Sequence, residues 1–233
     1  MNLKIVSSKI VPFKTALLAL ALASSACTAY PAAAEEVFNA PVAARQADES
    51  GLKTAIFAGG CFWGVEAVFS HTRGVTSAVS GYHGGTAADA HYDIVSAGGT
   101  AHVESVRVTY DPSVIRYDQL LQILFSVVAD PTLRNRQGPD SGPHYRAAIF
   151  PIGEEQTAVA QAYLRQMTRS GIWDSPIIAR VEPARRFYPA EDYHQDFADK
   201  NPNHGYIRRW DAPKVVALRA MFPSLYRAEY RTG

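Results

Sequence analysis

Short apolar runs and stretches of helical periodicity follow one another along the chain after residue 50. Residues 54–58 (TAIFA) are almost continuously apolar and lie between glycines, which predicts a buried strand. The segment VEAVFS then places Val65, Val68 and Phe69 at helical spacing and predicts a helix. The sequence GGCFWG connects the two, so Cys61 is predicted to lie at a strand-to-helix turn.

A second strand pattern begins at Val103 and ends at an Asp-Pro pair. Residues 103–112 (VESVRVTYDP) are rich in β-branched residues. Because alternate residues of a strand share a face, Glu104 is expected on the same side as Val106 and Val108. A carboxyl that is removed from water has a raised pKa, so Glu104 is a candidate proton donor near neutral pH.

Helices and strands are mixed without strict alternation in the rest of the chain. Helix start and stop signals lie at Glu154 and Gly171, and an apolar helix is predicted to end before Asp130. This mixture predicts an α/β (α+β) fold of two layers, in which helices cover a mixed sheet. The further predicted elements are helices at 117–128 and 154–170, strands at 144–150 and 176–183, and a short helix at 190–201.

The first 34 residues have the pattern of a secretory leader. Lys4, Lys9 and Lys14 precede a compact apolar run and three alanines, which predicts cleavage after Ala34 and export, to the periplasm of a Gram-negative cell. The run is too short to span a bilayer as a helix of the mature protein. Cys27 offers an alternative as a lipid-attachment cysteine, although the third residue before it is a serine rather than a bulky aliphatic.

Residues 35–50 are polar and alanine-rich, and they show no sustained period. We expect them to form a poorly ordered linker. The compact part of the chain is then a single domain over residues 51–233, which is long enough for one well-formed core.

Loss of the leader changes both the charge and the cysteine content. Three lysines and no acids leave with it, so 20 basic and 22 acidic residues remain and the net charge falls from +1 to −2. No basic stripe is present for binding nucleic acid or an anionic membrane surface. Cys61 becomes the only cysteine, which excludes an internal disulfide and leaves a thiol that is either inert through burial or kept for its reactivity.

The residues around Cys61 favour the reactive alternative. Three glycines permit close approach, and Phe62 and Trp63 supply a flat apolar wall. The free N–H groups and the dipole at a helix start stabilise a thiolate, which predicts a lowered thiol pKa, whereas Glu66 opposes this effect if it is close and ionised. The motif therefore predicts a binding site in which a group of a substrate lies against the thiol.

Five segments together carry a resemblance to a known family. They are GGCFWGVEAVF, GYHGG, HVESVRVTYDP, DPTLRNRQGPDSGPHYRAAIF and AEDYHQDF. In order and spacing, over roughly residues 53–227, the chain resembles the peptide methionine sulfoxide reductases of the A type. The resemblance implies a two-layer sandwich with a ferredoxin-like core, a catalytic domain at 51–233, no bound cofactor or metal, and thiol-dependent reduction of the S epimer of methionine sulfoxide.

Seven residues match positions of the family's site, and their roles are implied by the resemblance. They are the nucleophile Cys61, the buried acid Glu104, Tyr82 and Tyr145, whose hydroxyls hold the sulfoxide oxygen, Phe62 and Trp63, which receive the S-methyl group, and Asp140, which lines the site.

The chain departs from the family pattern in its cysteines and at three other positions. Many members carry a resolving cysteine after the YHQ segment, but this chain has none there, so a sulfenic acid on Cys61 requires an external thiol. That thiol would be a thioredoxin-like protein or a small molecule such as dithiothreitol. Ala129, His144 and Ala147 also replace the usual residues and alter local hydrogen bonding. We expect a monomer that repairs oxidised proteins and peptides and reduces free methionine sulfoxide.

Other functions remain open from the residues alone. A thiol peroxidase would use Cys61 against hydroperoxides and would need neither an aromatic methyl pocket nor a protonated Glu104. A non-enzymatic module would bind methionine-rich partners through Phe62 and Trp63 and would tolerate Cys61→Ser. His102 could serve a cysteine hydrolase, or a metal site with Glu104, but the sequence has no oxyanion motif and no HExxH or CxxC spacing.

Overall fold

The computed structural model of the protein describes Met1 and residues 36–233. The predicted leader, with Cys27 and the cleavage point after Ala34, lies outside the described residues except for Met1. No helix in the described part of the chain is long and apolar enough to cross a membrane.

A six-stranded mixed sheet forms the centre of residues 36–233, and a two-stranded hairpin lies apart from it. The strands of the large sheet are β1 Lys53–Ala58, β2 Val75–His83, β3 Val103–Tyr110, β6 Ala148–Phe150, β7 Arg180–Val181 and β8 Phe187–Pro189, and the hairpin consists of β4 Arg136–Gln137 and β5 Asp140–Ser141. The strand order is β7-β6-β1-β3-β2-β8, and only the β6–β7 pair is parallel.

The helices pack mainly on one face of this sheet. They are α1 Phe62–Ser70, α2 Tyr92–Ser96, α3 Tyr117–Ile123, α4 Glu154–Ser170, α5 Phe197–Lys200 and α6 Ala212–Met221, with wider π-helical turns at Leu124–Val128 and Ile207–Asp211. The main core joins α1, α3 and α4 to apolar side chains of β1, β2 and β3. A smaller cluster on the opposite face of the sheet contains Ile56, Val103 and Phe150, with Phe187 packed against it.

The strongest sequence patterns are confirmed. The predicted strand at 54–58 is β1, the predicted helix after GGCFWG is α1, and the predicted helix at 117–128 is α3 with the π-helical turn that continues it. Helix α4 ends at Ser170 because Gly171 adopts a left-handed conformation with φ of 69°. In β3, Glu104, Val106 and Val108 are all buried, as the alternation predicted.

Several weaker predictions need correction. In the predicted strand at 144–150, only Ala148–Phe150 pairs with β1, whereas Pro143–Tyr145 form a 3₁₀ turn, since Pro143 has no N–H to donate to a sheet. The strand predicted at 176–183 is reduced to Arg180–Val181. Residues 190–201 form a 3₁₀ turn at Asp192–His194 followed by the four-residue α5.

The segment at residues 36–50 differs most from its expected character. It has no helix or strand, but it lies against α3 and α4 rather than forming a poorly ordered linker. Tyr163 donates its hydroxyl to the carbonyl of Pro41 at 2.8 Å, and the N–H of Ala47 donates to Asp118 at 2.9 Å. Ala40, Ala43 and Ala47 are buried. Its alanines supply apolar contacts, and side chains of the helices satisfy its backbone groups.

Candidate active site

Cys61 lies at the connection between β1 and α1, at the position directly before the first residue of α1. The preceding Gly60 has a φ of 90°, and a Cβ placed there would come within 2.6 Å of Gln137. Only glycine therefore permits this turn, in which Gln137 of β4 packs directly against Gly60. The Cys61 side chain is almost entirely covered, with 9% of the residue exposed.

A cleft of about 220 Å³ opens at this helix start. Separate parts of the fold each supply one residue to it: β3 supplies Glu104, the β4–β5 hairpin supplies Asp140, and α2 begins with Tyr92. The lining residues are Cys61, Phe62, Trp63, Tyr92, Glu104, Asp140, Tyr145 and Tyr206. The structure thus brings six of the seven predicted site residues together.

Glu104 lines this cleft, and its carboxyl binds the first residue of α1, directly after Cys61. Its Oε2 accepts a hydrogen bond from the N–H of Phe62 at 3.0 Å, and the residue is 1% exposed. Burial raises the pKa of Glu104 to about 8, the Phe62 N–H works in the opposite direction, and the charges of Asp140 and Asp211 add to the rise. The carboxyl is therefore protonated at neutral pH and has a proton to donate.

The pKa of the Cys61 thiol is also raised, which corrects the expectation of a lowered value. Burial is the largest cause, and the negative charges of Glu104, Asp211 and Asp140 act in the same direction. The helix start does act as expected, through a hydrogen bond from the Trp63 N–H, but burial outweighs it. An ionised Glu104 disfavours the thiolate, so a protonated Glu104 serves both the acid and the nucleophile.

Two aromatic residues form one wall of the cleft, and neighbouring rings fix them. The Trp63 ring stacks on Phe197 with centroids 3.8 Å apart and planes within 9°. Its Nε1–H donates to Nδ1 of His194 at 3.1 Å. The buried Phe62 ring lies 5.0 Å from His194. The wall is thus a packed surface rather than a pair of mobile side chains.

The assignment of Tyr82 to the sulfoxide oxygen is wrong. Tyr82 is fully buried in β2, its hydroxyl donates to Glu191 at 2.8 Å, and it does not line the cleft. Tyr92 takes the expected place beside Tyr145. The pKa of each of these two tyrosines is raised by burial and by the nearby Glu104, so both keep the proton of their hydroxyl.

Tyr206 also lines the cleft and donates its hydroxyl to Asp140. Burial raises the pKa of Asp140, while this hydrogen bond and the nearby Lys214 and His144 lower it. Neither Tyr92 nor Tyr206 stands out in the sequence, because tyrosine is common in this chain and both follow irregular segments. Their place in the site depends on tertiary packing.

The histidine and metal alternatives find no support in this geometry. His102 accepts the N–H of Gly85 at its Nδ1 and contacts the carbonyl of Thr86 through Nε2 at 2.9 Å, so it is not a base for Cys61. Within residues 36–233, no group of three or more histidine, cysteine, aspartate or glutamate side chains is arranged to hold a metal ion.

Comparison with known proteins identifies the family. The family model described as peptide methionine sulfoxide reductase matches residues 53–224, a range that contains every residue of the cleft. The chain belongs to this family. As a member of the reductase family, it is an oxidoreductase that acts on methionine sulfoxide through thiol chemistry.

Relatives of this reductase place it among the A-type enzymes. It is 52% identical over 176 residues to peptide methionine sulfoxide reductase MsrA 2 of Mesorhizobium japonicum, covering 76% of this chain and 90% of the relative. It is 46% identical over 168 residues to MsrA of Deinococcus radiodurans, covering 72% and 81% of the two chains.

Solved structures of the reductase family confirm the predicted fold class. Reduced Mxr1 of Saccharomyces cerevisiae matches with a TM-score of 0.58 and 30% identity, over 68% of this chain and 90% of that one. Methionine sulfoxide reductase A of Corynebacterium diphtheriae matches with a TM-score of 0.55 and 32% identity, over 66% and 77%. The predictions of an A-type reductase and of helices covering a mixed sheet are therefore confirmed.

Proposed function

We propose that the cleft reduces the S epimer of methionine sulfoxide to methionine, with Cys61 as nucleophile and Glu104 as proton donor. The observation that carries this proposal is that both groups line one cleft while burial keeps the pKa of Glu104 at about 8. A sulfoxide oxygen is a poor leaving group until it is protonated, so the reaction needs an acid beside the thiol. Substrates would be oxidised proteins and peptides as well as free methionine sulfoxide.

The proposed reaction balances without a cofactor. The Cys61 sulfur attacks the sulfoxide sulfur while Glu104 donates a proton to the sulfoxide oxygen. The oxygen then passes to Cys61 as methionine leaves, and the proton of the thiol restores Glu104. The methionine sulfur is reduced by two electrons and the cysteine sulfur is oxidised by two, which yields methionine and a sulfenic acid.

Three separate contacts around one sulfur would select the epimer. Cys61 would approach from the helix start, the oxygen would lie towards Glu104 and the hydroxyls of Tyr92 and Tyr145, and the methyl group would pack on the Trp63 wall, since all of these residues line the cleft. A well-placed hydroxyl donor contributes on the order of 3 kcal/mol to the transition state. Contact of sulfur with an aromatic ring contributes about 0.3–1.5 kcal/mol, which is enough to orient the methyl group.

The sulfenic acid would be reduced by an external thiol, since Cys61 is the only cysteine of residues 36–233. One thiol of the reductant displaces water from Cys61 to form a mixed disulfide, and a second thiol releases Cys61 and leaves the reductant as a disulfide. A thioredoxin-like dithiol protein supplies both thiols from one molecule. Two molecules of a small thiol give the same balance.

The test is turnover of each epimer of a methionine sulfoxide peptide by the purified protein with dithiothreitol. Reduction of the S epimer alone is expected, and Cys61→Ser is expected to abolish it. In a single turnover without reductant, mass spectrometry after dimedone treatment should find the label on Cys61. Consumption of the R epimer alone, consumption of hydroperoxide but not sulfoxide, or activity in Cys61→Ser would each refute the proposal.

We also propose that the protein is exported to the periplasm as a soluble enzyme. The support is the pattern of residues 1–34, with three lysines before a short apolar run and an alanine-rich cleavage site. Mass spectrometry of the processed protein should find a terminus after Ala34. A terminus at a lipid-modified Cys27, or an unprocessed Met1, would contradict soluble export.

A further inference from the structure

We infer that Glu191 is a positioning residue for the reaction, because its carboxylate holds Tyr92 in the cleft by tying it to Tyr82 of the central sheet. The inference rests on the proposed function, since it assigns Tyr92 a hydrogen bond to the sulfoxide oxygen. Glu191 itself is absent from the lining of the cleft, so its role would be exerted through Tyr92.

One carboxylate makes both connections. Its Oε1 accepts the backbone N–H of Tyr92 at 2.9 Å, and its Oε2 accepts the hydroxyl of Tyr82 at 2.8 Å. Tyr82 is fully buried and lies directly opposite Glu104 in the β2–β3 pairing. The position of Tyr92 is thereby fixed relative to β2 and β3, the pair of strands that also holds Glu104.

Apart from its packing against the main core, few other contacts fix the position of Tyr92. It is the first residue of α2, a helix of five residues in which only Val95 is buried. His91 occupies the position before the helix, but its side chain makes no capping hydrogen bond. The free N–H of Tyr92 donates instead to Glu191, which is 99 residues away in the sequence. The Tyr92 ring also packs on His194 at 4.5 Å, three residues beyond Glu191.

Glu191 is itself firmly anchored to β2. The N–H of the adjacent Ala190 donates to the carbonyl of Ser80 at 2.9 Å, and the side-chain amide of Gln195 bonds both the N–H and the carbonyl of Ser80 at 3.0 Å. Burial tends to raise the pKa of Glu191, but hydrogen bonds from the N–H groups of Tyr92 and of Glu191 itself and from the Tyr82 hydroxyl, together with the nearby His194, outweigh it and hold the pKa below its ordinary value. The group is thus a carboxylate that accepts from both partners.

Substitutions can separate the geometry of this connection from its charge. In Glu191→Gln, the amide oxygen still accepts the Tyr92 N–H and the amide N–H can donate to the Tyr82 hydroxyl oxygen. Glu191→Ala removes both contacts, and Tyr82→Phe removes one of them. A positioning role therefore predicts that glutamine preserves turnover and alanine does not.

The chain offers a matched control pair on β3. Tyr110 is a fully buried strand tyrosine whose hydroxyl donates to Glu49 at 2.5 Å, and neither residue lines the cleft. Tyr110→Phe therefore removes a tyrosine–carboxylate hydrogen bond, as Tyr82→Phe does, together with one that the hydroxyl accepts from Gln156 at 3.2 Å, and both lie outside the cleft. It is expected to lower stability without changing kcat.

The experiment is a double-mutant cycle on turnover of the S epimer with dithiothreitol, with the melting temperature of each variant as a check on folding. Glu191→Ala is expected to lower kcat by about 10- to 100-fold, as loss of orientation does, with Glu191→Gln close to the parent enzyme. In a Tyr92→Phe background, Glu191→Ala is expected to lower kcat by no more than about twofold, because its target is already lost.

An equal loss in both backgrounds, or an unchanged kcat in Glu191→Ala, would overturn the inference, as would a glutamine variant as slow as the alanine variant. If Glu191→Ala does not fold, the cycle of Tyr82→Phe with Tyr92→Phe applies the same test. Failure of the parent enzyme to reduce the S epimer refutes the proposed function instead, so the two failures are distinguishable.

Discussion

Replacement of Glu104 by glutamine tests the role of the buried acid most directly. Glutamine keeps an oxygen that accepts the Phe62 N–H at the 3.0 Å contact, so the fold around the cleft is preserved. It carries no proton for the sulfoxide oxygen. A general acid contributes about 10²- to 10⁴-fold to a rate, so we predict a loss of this size at pH 7.

The pH dependence gives this prediction its sign. The parent enzyme loses its donor proton as pH rises through about 8, the pKa of Glu104, whereas the glutamine variant has no such step. The ratio of the parent rate to the variant rate should therefore be largest below pH 8 and fall by about tenfold for each pH unit above it. Measurement of single-turnover rates from pH 6 to pH 10 checks both the size and the trend.

Stability should change with pH in a related way. The folded-state pKa of Glu104 is raised from 4.5 to about 8, so the folded protein holds a proton that the unfolded chain has released between those values. Stability is therefore lost as pH rises through this window, by about 5 kcal/mol for Glu104. The glutamine variant lacks this contribution, and urea unfolding at pH 5 and pH 8 should show a smaller decline than in the parent.

Glu66 provides a matched control, because it is also fully buried and burial also raises its pKa to about 8. It lies on α1 outside the cleft, and its Oε2 accepts the N–H of Asp196 at 3.1 Å. Glu66→Gln should reduce the pH dependence of stability and leave turnover unchanged. If Glu104→Gln is as active as the parent, or if its deficit is the same at pH 6 and pH 10, Glu104 is not the proton donor.

Three further predictions concern other contacts. Tyr145→Phe should lower kcat by about 10²- to 10³-fold, because the cleft loses a hydroxyl donor. Steady-state kinetics check this prediction, with an unchanged melting temperature as the control, and a change in KM alone would contradict it. Tyr163→Phe should lower the free energy of unfolding by about 1–3 kcal/mol, because the Pro41 carbonyl loses its partner; denaturant titration measures this, and kcat should not change. Phe197→Ala should raise KM more than it lowers kcat, since Trp63 loses the ring stacked on it, and equal effects on both constants would count against this.

Much of the fold could be predicted because local patterns and tertiary packing agree. The alternation of β3 placed Glu104 on the buried face, and the start and stop signals of α4 fixed both of its ends. Strand β2 was not predicted, although it is the longest strand of the large sheet, because small polar residues interrupt its apolar alternation. Gly81 interrupts it as well, and a Cβ there would lie 2.3 Å from the carbonyl oxygen of Tyr188.

The site was predictable where residue type and local geometry define the role. Cys61, Phe62 and Trp63 are consecutive, so placing the first at a helix start placed the other two. The choice between Tyr82 and Tyr92 was not local, because it depends on which hydroxyl Glu191 binds and which it leaves to the cleft. The raised pKa of the Cys61 thiol was not predictable either, because it is due mainly to burial, which the position of the residue at a helix start does not reveal.

The stacked arrangement of Trp63 makes the indole an optical reporter of the cleft. Phe197 covers one face of the ring and His194 fixes its N–H, so the environment that can still vary is the side towards the cleft. The chain has only two other tryptophans, Trp173 and Trp210, and neither lines the cleft. The Trp63 contribution to the fluorescence is the difference between the parent and Trp63→Phe. A change in this contribution would therefore report that a thioether or sulfoxide occupies the cleft, without a coupled enzyme assay.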